Sequence, residues 1–242
     1  MLDIIAALAV GAMFAVDVTV LVGLAAVSRS AKCGAFAIAA AWAVTIVAIA
    51  AMDGFRPGLI GPVPAPVLAF SALVFASLIT WLIWPAFRRA LLSVPLAALV
   101  GINSFRIGGV FFLLLFADGR LSSPFAPSAG WGDIITGIAA IPIAASAASA
   151  RSVSRRLLAA WNAFGALDLV IAVTLAFLSA PGTRYRVFMD APGTVVMTTL
   201  PWILVATLLV PLYLLTHFTI AARLRLSRYS FSEQPAAARR SA

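Results

Sequence analysis

Seven long apolar runs organise the chain, separated by short breaks that are polar, Gly/Pro-rich or Arg-bearing: Ile4–Val27, Ala35–Ala51, Val67–Trp84, Ala98–Phe116, Asp133–Ser149, Leu157–Ser179 and Thr198–Ala222. Most are near the roughly 20 residues that a helix needs to cross the hydrocarbon core of a bilayer. Ala35–Ala51 and Asp133–Ser149, with 17 residues each, sit at the short limit. The break "MDGFRPGLIGPVPAP" reads as loop from its Gly and Pro. The expectation is an all-α, polytopic membrane protein of seven transmembrane helices. Its membrane domain covers residues 1–224, followed by a basic, disordered tail over 225–242.

Composition supports that class. Of the 242 residues, 63% are hydrophobic and 10% charged, against about 45–50% apolar and about 25% charged in soluble domains. The formal charge of +9 invites a nucleic-acid reading. The arginines fall in short clusters between apolar runs instead, which is a topology signal, and no nucleic-acid partner is expected. Single Cys33 and His217 exclude an internal disulfide, a His/Cys zinc site and a bis-His haem within one chain, so no cofactor or metal is expected.

The basic residues set an orientation. Twelve fall on one side: Arg29, Lys32, Arg88, Arg89, Arg151, Arg155, Arg156, Arg223, Arg225, Arg228, Arg239 and Arg240. Four fall on the other: Arg56, Arg120, Arg184 and Arg186. The rule that cytoplasmic loops are positive then places the C-terminus in the cytoplasm and the N-terminus outside, in a bacterial inner membrane. Trp81, Trp84 and Trp161 are expected near the inner interface, and Trp131 and Trp202 near the outer one. The start "MLD" carries no positive charge and its apolar run contains Asp17, so the first segment reads as a retained span rather than a signal peptide. The partner is the lipid bilayer, and the basic tail suits contact with anionic lipid.

Three ionisable residues lie at mid-depth: Asp17 in the first segment, Arg106 in the fourth and Asp168 in the sixth. A charge at the bilayer centre costs roughly 2.5–3.5 kcal/mol on insertion scales, so such groups face the bundle interior and pair. Arg106 is expected to pair with Asp168, Asp17 or both, since a planar guanidinium can bridge two carboxylates. Asn103, three residues earlier, shares its face. Gly108, Gly109 and Gly165 allow close helix approach, or leave room for a ligand beside the charge. His217, toward the cytoplasmic end of the seventh segment, is either a packing residue or an inner proton-relay group. Pro201 and Pro211 remove backbone donors there and permit a kink. In a transport reading Arg106 holds one carboxylate ionised, and the other exchanges a proton as the bundle changes access.

Gly130-Trp131-Gly132-Asp133 matches G-x-G-D and resembles the signature of intramembrane aspartyl proteases and prepilin peptidases, whose chemistry needs two carboxylates sharing a proton. That resemblance implies Asp133 as one catalytic residue and Asp118 as the other. The chain departs from those families, with Ile135 where a lysine usually follows, fifteen residues between the aspartates, and neither Tyr-Asp nor Pro-Ala-Leu in place. The alternative is that Asp133 occupies the first turn of the fifth helix, where a carboxylate suits the free N–H groups. "RIGGVFF", "FAPSAGWGD" and "WNAFGALDL" together resemble segments of uncharacterised bacterial multi-pass membrane proteins, a resemblance that implies architecture and no activity. A retinal protein is excluded because the only lysine, Lys32, is in a loop. Small-solute or proton-coupled transport is the leading expectation, with Asp17, Asn103, Arg106, Asp168 and His217 along the pathway. A membrane peptidase using Asp118 and Asp133, or an assembly protein without ligand, are the alternatives.

Overall fold

The structure is a computed structural model and describes residues 1–56, 58–59, 63–149 and 153–232. Among these there is helix and no strand. In chain order the elements are α1 (Leu2–Leu24), α2 (Arg29–Ala51), α3 (Ala65–Ile83), α4 (Pro85–Ser93) and α5 (Leu96–Gly101). A 3₁₀ helix (Ile102–Gly109) leads into α6 (Val110–Ala117), followed by α7 (Phe125–Ala148) and α8 (Arg155–Leu178). A 3₁₀ turn (Val195–Thr198) and a π-helical turn (Val205–Leu209) precede α9 (Val210–Ser232). Seven spans are long and apolar enough to cross a bilayer: α1, α2, α3, the composite Leu96–Ala117, α7, α8 and Val205–Leu226. The protein is thus an integral membrane protein of multi-pass, all-helical architecture.

Local chemistry explains most boundaries. Ser28 accepts from the Ala31 N–H at 3.2 Å and Ser154 from that of Leu157 at 3.4 Å, capping α2 and α8. Pro66 and Pro85 sit in the first turns of α3 and α4, where no donor is needed. Both copies of "APGT" form turns, with Gly182 at φ +77° and Gly193 at φ +68°.

Several boundaries differ from expectation, α2 for one beginning at Arg29 rather than Ala35. The fifth span begins at Phe125 rather than Asp133, because Pro127 lies in the first helical turn, where it is tolerated, so "FAPSAGWG" is helix and not loop. Pro201 falls in the turn before the last span, leaving Pro211 as the proline within it. α9 runs on to Ser232, so 225–232 are helical rather than disordered, in keeping with a stretch free of Gly and Pro. Arg151 and the tail from 233 on, with Arg239 and Arg240, lie outside the described residues.

Side-chain ties define two ends of the bundle. At one, Arg120 bonds Asp3 at 2.9 Å, the Trp202 indole donates to the same Asp3 oxygen at 2.8 Å, and the Gly193 N–H donates to Ser122 Oγ at 2.9 Å. This is the loop end. At the other, basic end, Lys32 caps the Gly23 carbonyl and Arg223 holds the Leu92 and Val94 carbonyls at the end of α4. α7 is the central helix, packed on the 3₁₀ helix, α5, α6 and α8. α2 and α3 are peripheral, burying only Ile46 on one and Ala65 and Trp81 on the other, as expected of helices whose remaining apolar surface faces lipid.

Trp84 and Trp131 are exposed, whereas Trp81, Trp161 and Trp202 are buried. The apolar core is divided. One cluster, with Leu99, Ile143, Leu158 and Ile220, fills the basic end, and another, with Leu115, Phe125, Ala129 and Trp202, fills the loop end. Between them lie polar residues.

Candidate functional site

The site begins with a backbone choice. Within the 3₁₀ helix, Asn103, Arg106 and Gly109 are buried. At three residues per turn they fall in line on one face, which an α-helix would spread apart. That face lies on α7. Glycines permit the close approach, since a Cβ on Gly109 would strike the Asp133 Cβ and the Gly130 carbonyl, and one on Gly137 the Ile107 backbone. The Gly109 contact sets Asp133 beside Arg106.

The Arg106 guanidinium then makes four bonds to three helices. Nε donates to Asp133 Oδ1 at 2.7 Å, Nη2 to Asp168 Oδ2 at 2.5 Å, and Nη1 to the Gly165 carbonyl and His217 Nε2, both at 3.0 Å. Guanidinium only donates, so His217 Nε2 must accept and its proton sits on Nδ1. Nδ1 therefore donates to Asn162 Oδ1 at 3.0 Å, and the Asn162 amide donates to the His217 carbonyl at 3.1 Å. Trp161 closes the basic side, its ring 5.3 Å from the imidazole and its indole N–H on the Thr136 carbonyl at 3.1 Å.

Glycines make the room. A Cβ on Gly132 would fall on the Asp168 carboxylate, and one on Gly165 would meet the His217 ring. The space beside Gly165 is thus taken by the protein's own histidine rather than left for a ligand. G-W-G-D is accordingly a packing and pairing element: Gly130 admits the 3₁₀ helix, Gly132 admits Asp168, and Asp133 holds Arg106.

The Arg106 side chain is 1% exposed and that of Asp168 8%, but Asp133 is 14% exposed. Asp133 lines a partly open cleft of about 80 Å³ that runs from Pro64, Thr194 and Thr198 at the loop end down to Val210 at mid-depth. Asp133 uses Oδ1 for Arg106, and no bond to its Oδ2 occurs among the described residues. With both aspartates ionised, the network of one arginine and two carboxylates carries a net charge of −1.

The expected residues sort as follows. Arg106, Asp168 and His217 meet directly. Asn103 lies on the same face but bonds the Leu99 carbonyl at 2.9 Å and Thr216 Oγ1 at 3.1 Å, one step removed. Asp17 does not join Arg106. α1 packs through Val10 against Leu169, Leu209 and Tyr213, which turns Asp17 toward the Tyr213 hydroxyl, and α7 fills the place beside Arg106. Asp17 is fully buried, and its oxygens and the Tyr213 hydroxyl form no well-aligned hydrogen bond among the described residues.

The Asp118–Asp133 pair is not formed either. Asp133 sits at the level of Gly109, in the third turn of α7 rather than its first. Asp118 is exposed just past α6, nine residues or about 13 Å farther along that segment, too far to share a proton. Asn162, Thr136 and Tyr213 were not singled out from sequence. Asn162, Gly165 and Asp168 recur every three residues on α8, a polar stripe that would have marked Asn162.

Comparison with curated proteins and with solved structures finds no match to the chain. Residues 63–225, which hold the whole Arg106 network but not Asp17, match the family model described as Domain of unknown function (DUF8737), and since this is more than half of the chain, the protein belongs to that family.

Proposed function

We propose that the protein transports a small solute across the membrane with proton coupling, and that the Arg106–Asp133–Asp168 network is the coupling centre. One observation carries this reading. A single buried guanidinium is shared by carboxylates from two helices, and one of those carboxylates lines a cleft reaching the loop end. A net charge of −1 in a low-dielectric interior is costly, and one proton or one cationic group removes it. Gain or loss of that charge changes how strongly Arg106 holds Asp133 relative to Asp168. Because these lie on α7 and α8, the change acts on the helix pair that bounds the cleft. The distribution of arginines favours a cytoplasmic basic end, so the cleft opens toward the opposite side of a bacterial inner membrane.

A second reading draws on a different observation. Glycines fit closely around a guanidinium that uses four of its five N–H groups, as a static lock of helix register would. Proton flux separates the two. Purified protein in liposomes with an internal pH dye is expected to pass protons under an imposed pH gradient, and Asp133→Asn and Asp168→Asn, each shown to be monodisperse, are expected to lose that flux. Wild-type flux in both variants refutes coupling through this network and leaves the register lock, whereas absence of flux in the wild type leaves solute-gated coupling and moves the weight toward that lock.

A further inference from the structure

The cleft at Asp133 has a composition that selects its occupant, and we infer that the solute is a lipophilic monocation whose charge rests on Asp133. The inference deepens the transport reading by naming its substrate class. The walls include α3, α6, α7, α8 and the π-helical turn, with Phe70, Phe112, Phe125 and Phe177 among the lining residues. Polar side chains are confined to Thr194 and Thr198 near the mouth and Asp133 at depth, which is the one ionisable residue of the lining.

Each alternative class meets a penalty. A polar solute would lose its hydration without gaining partners along such walls. An anion would meet the acceptor oxygens of a carboxylate whose one arginine is already shared with Asp168. A neutral apolar molecule would cover Asp133, removing water from it and offering nothing in return. An apolar body with one positive charge satisfies the walls by burial, the carboxylate by charge, and the aromatic faces by cation–π attraction. The charged and titratable groups around Asp133 are Arg106 from the 3₁₀ helix, Asp168 from α8, and Tyr213 and His217 from α9, with Asp17 beyond Tyr213 on α1. Only Arg106 among these is cationic by its chemistry, and it is divided between two carboxylates. A proton neutralises the same net charge, so cation and proton compete for the network.

The test is equilibrium binding of radiolabelled tetramethylammonium, a cation compact enough for the cleft, to the full chain in detergent. Saturable binding is expected, relieved by acid and not displaced by neutral tert-butanol. Asp133→Asn is expected to weaken it about thirtyfold or more, the scale of removing one partner of a desolvated charge pair. Val173→Trp fills the cleft without touching the network and is expected to abolish binding, which keeps the test valid should Asp133→Asn misfold. Asp118→Asn is expected to bind as wild type. No saturable binding, unchanged affinity in folded Asp133→Asn or Val173→Trp, or displacement by the neutral compound overturns the inference. Binding of a cation that drives no proton flux when added to the liposomes would defeat the transport reading and leave the ligand class standing, whereas flux without binding would do the reverse.

Discussion

Replacing Arg106 by Leu tests the electrostatic account of the site most directly. The change removes the bonds to Asp133 and Asp168 at 2.7 and 2.5 Å, together with those to the Gly165 carbonyl and His217. Hydrogen bonds to charged partners contribute about 1.5–3 kcal/mol each, so the two carboxylate bonds alone come to about 3–6 kcal/mol. Breaking a buried ion pair from one side costs about 3–5 kcal/mol, because it strands charge in the interior. Both routes give about 4 kcal/mol, and here two carboxylates are stranded. Most of that loss belongs to the stranded charge rather than to the value of the pair itself. The triple variant Arg106→Leu, Asp133→Asn, Asp168→Asn is therefore expected to recover most of it. Unfolding in mixed micelles titrated with SDS, followed by the fluorescence of the six tryptophans, measures both. A loss under about 1 kcal/mol in Arg106→Leu, or a triple variant no more stable than the single one, would refute the reasoning.

Two further outcomes concern packing and backbone satisfaction. Gly132→Ala places a methyl on the Asp168 carboxylate and is expected to cost about 1–3 kcal/mol in the same titration, whereas Gly11→Ala, with nothing within 4 Å, is expected to be neutral or to gain up to about 1 kcal/mol. Pro211 has no N–H for the Thr207 carbonyl four residues back, and the Trp42 indole donates to that carbonyl at 3.1 Å. Trp42→Phe is expected to cost about 1–3 kcal/mol in the wild type and clearly less in a Pro211→Ala background, a coupling that a double-mutant cycle reads; equal costs would show that the indole does not substitute for the missing donor.

Apolar length and charge placement determined the class of this protein. Seven runs near 20 residues allow few folds other than a helical membrane bundle, because a backbone in lipid must satisfy its own hydrogen bonds. The same cost argument marked Arg106 as a buried, paired charge and named Asp168 as a partner, since an arginine at depth requires a carboxylate near it. Where the second carboxylate came from was a tertiary decision. Asp17 and Asp133 look alike in sequence, one at mid-run and the other at an apparent helix start. The difference is that Pro127 begins a helix rather than ending a loop, which moves Asp133 two turns inward, and that Gly109 and Gly130 let α7 come close enough to deliver it. The 3₁₀ stretch was equally hidden, because nothing in "INSFRIGG" distinguishes a three-residue period from one of 3.6 until Asn103, Arg106 and Gly109 must all face one neighbour. Sequence thus determined that charges had to meet inside a bilayer-spanning bundle, through the cost of leaving them alone. Only packing decided which ones met, because closeness between helices depends on glycines whose partners lie far away in the chain.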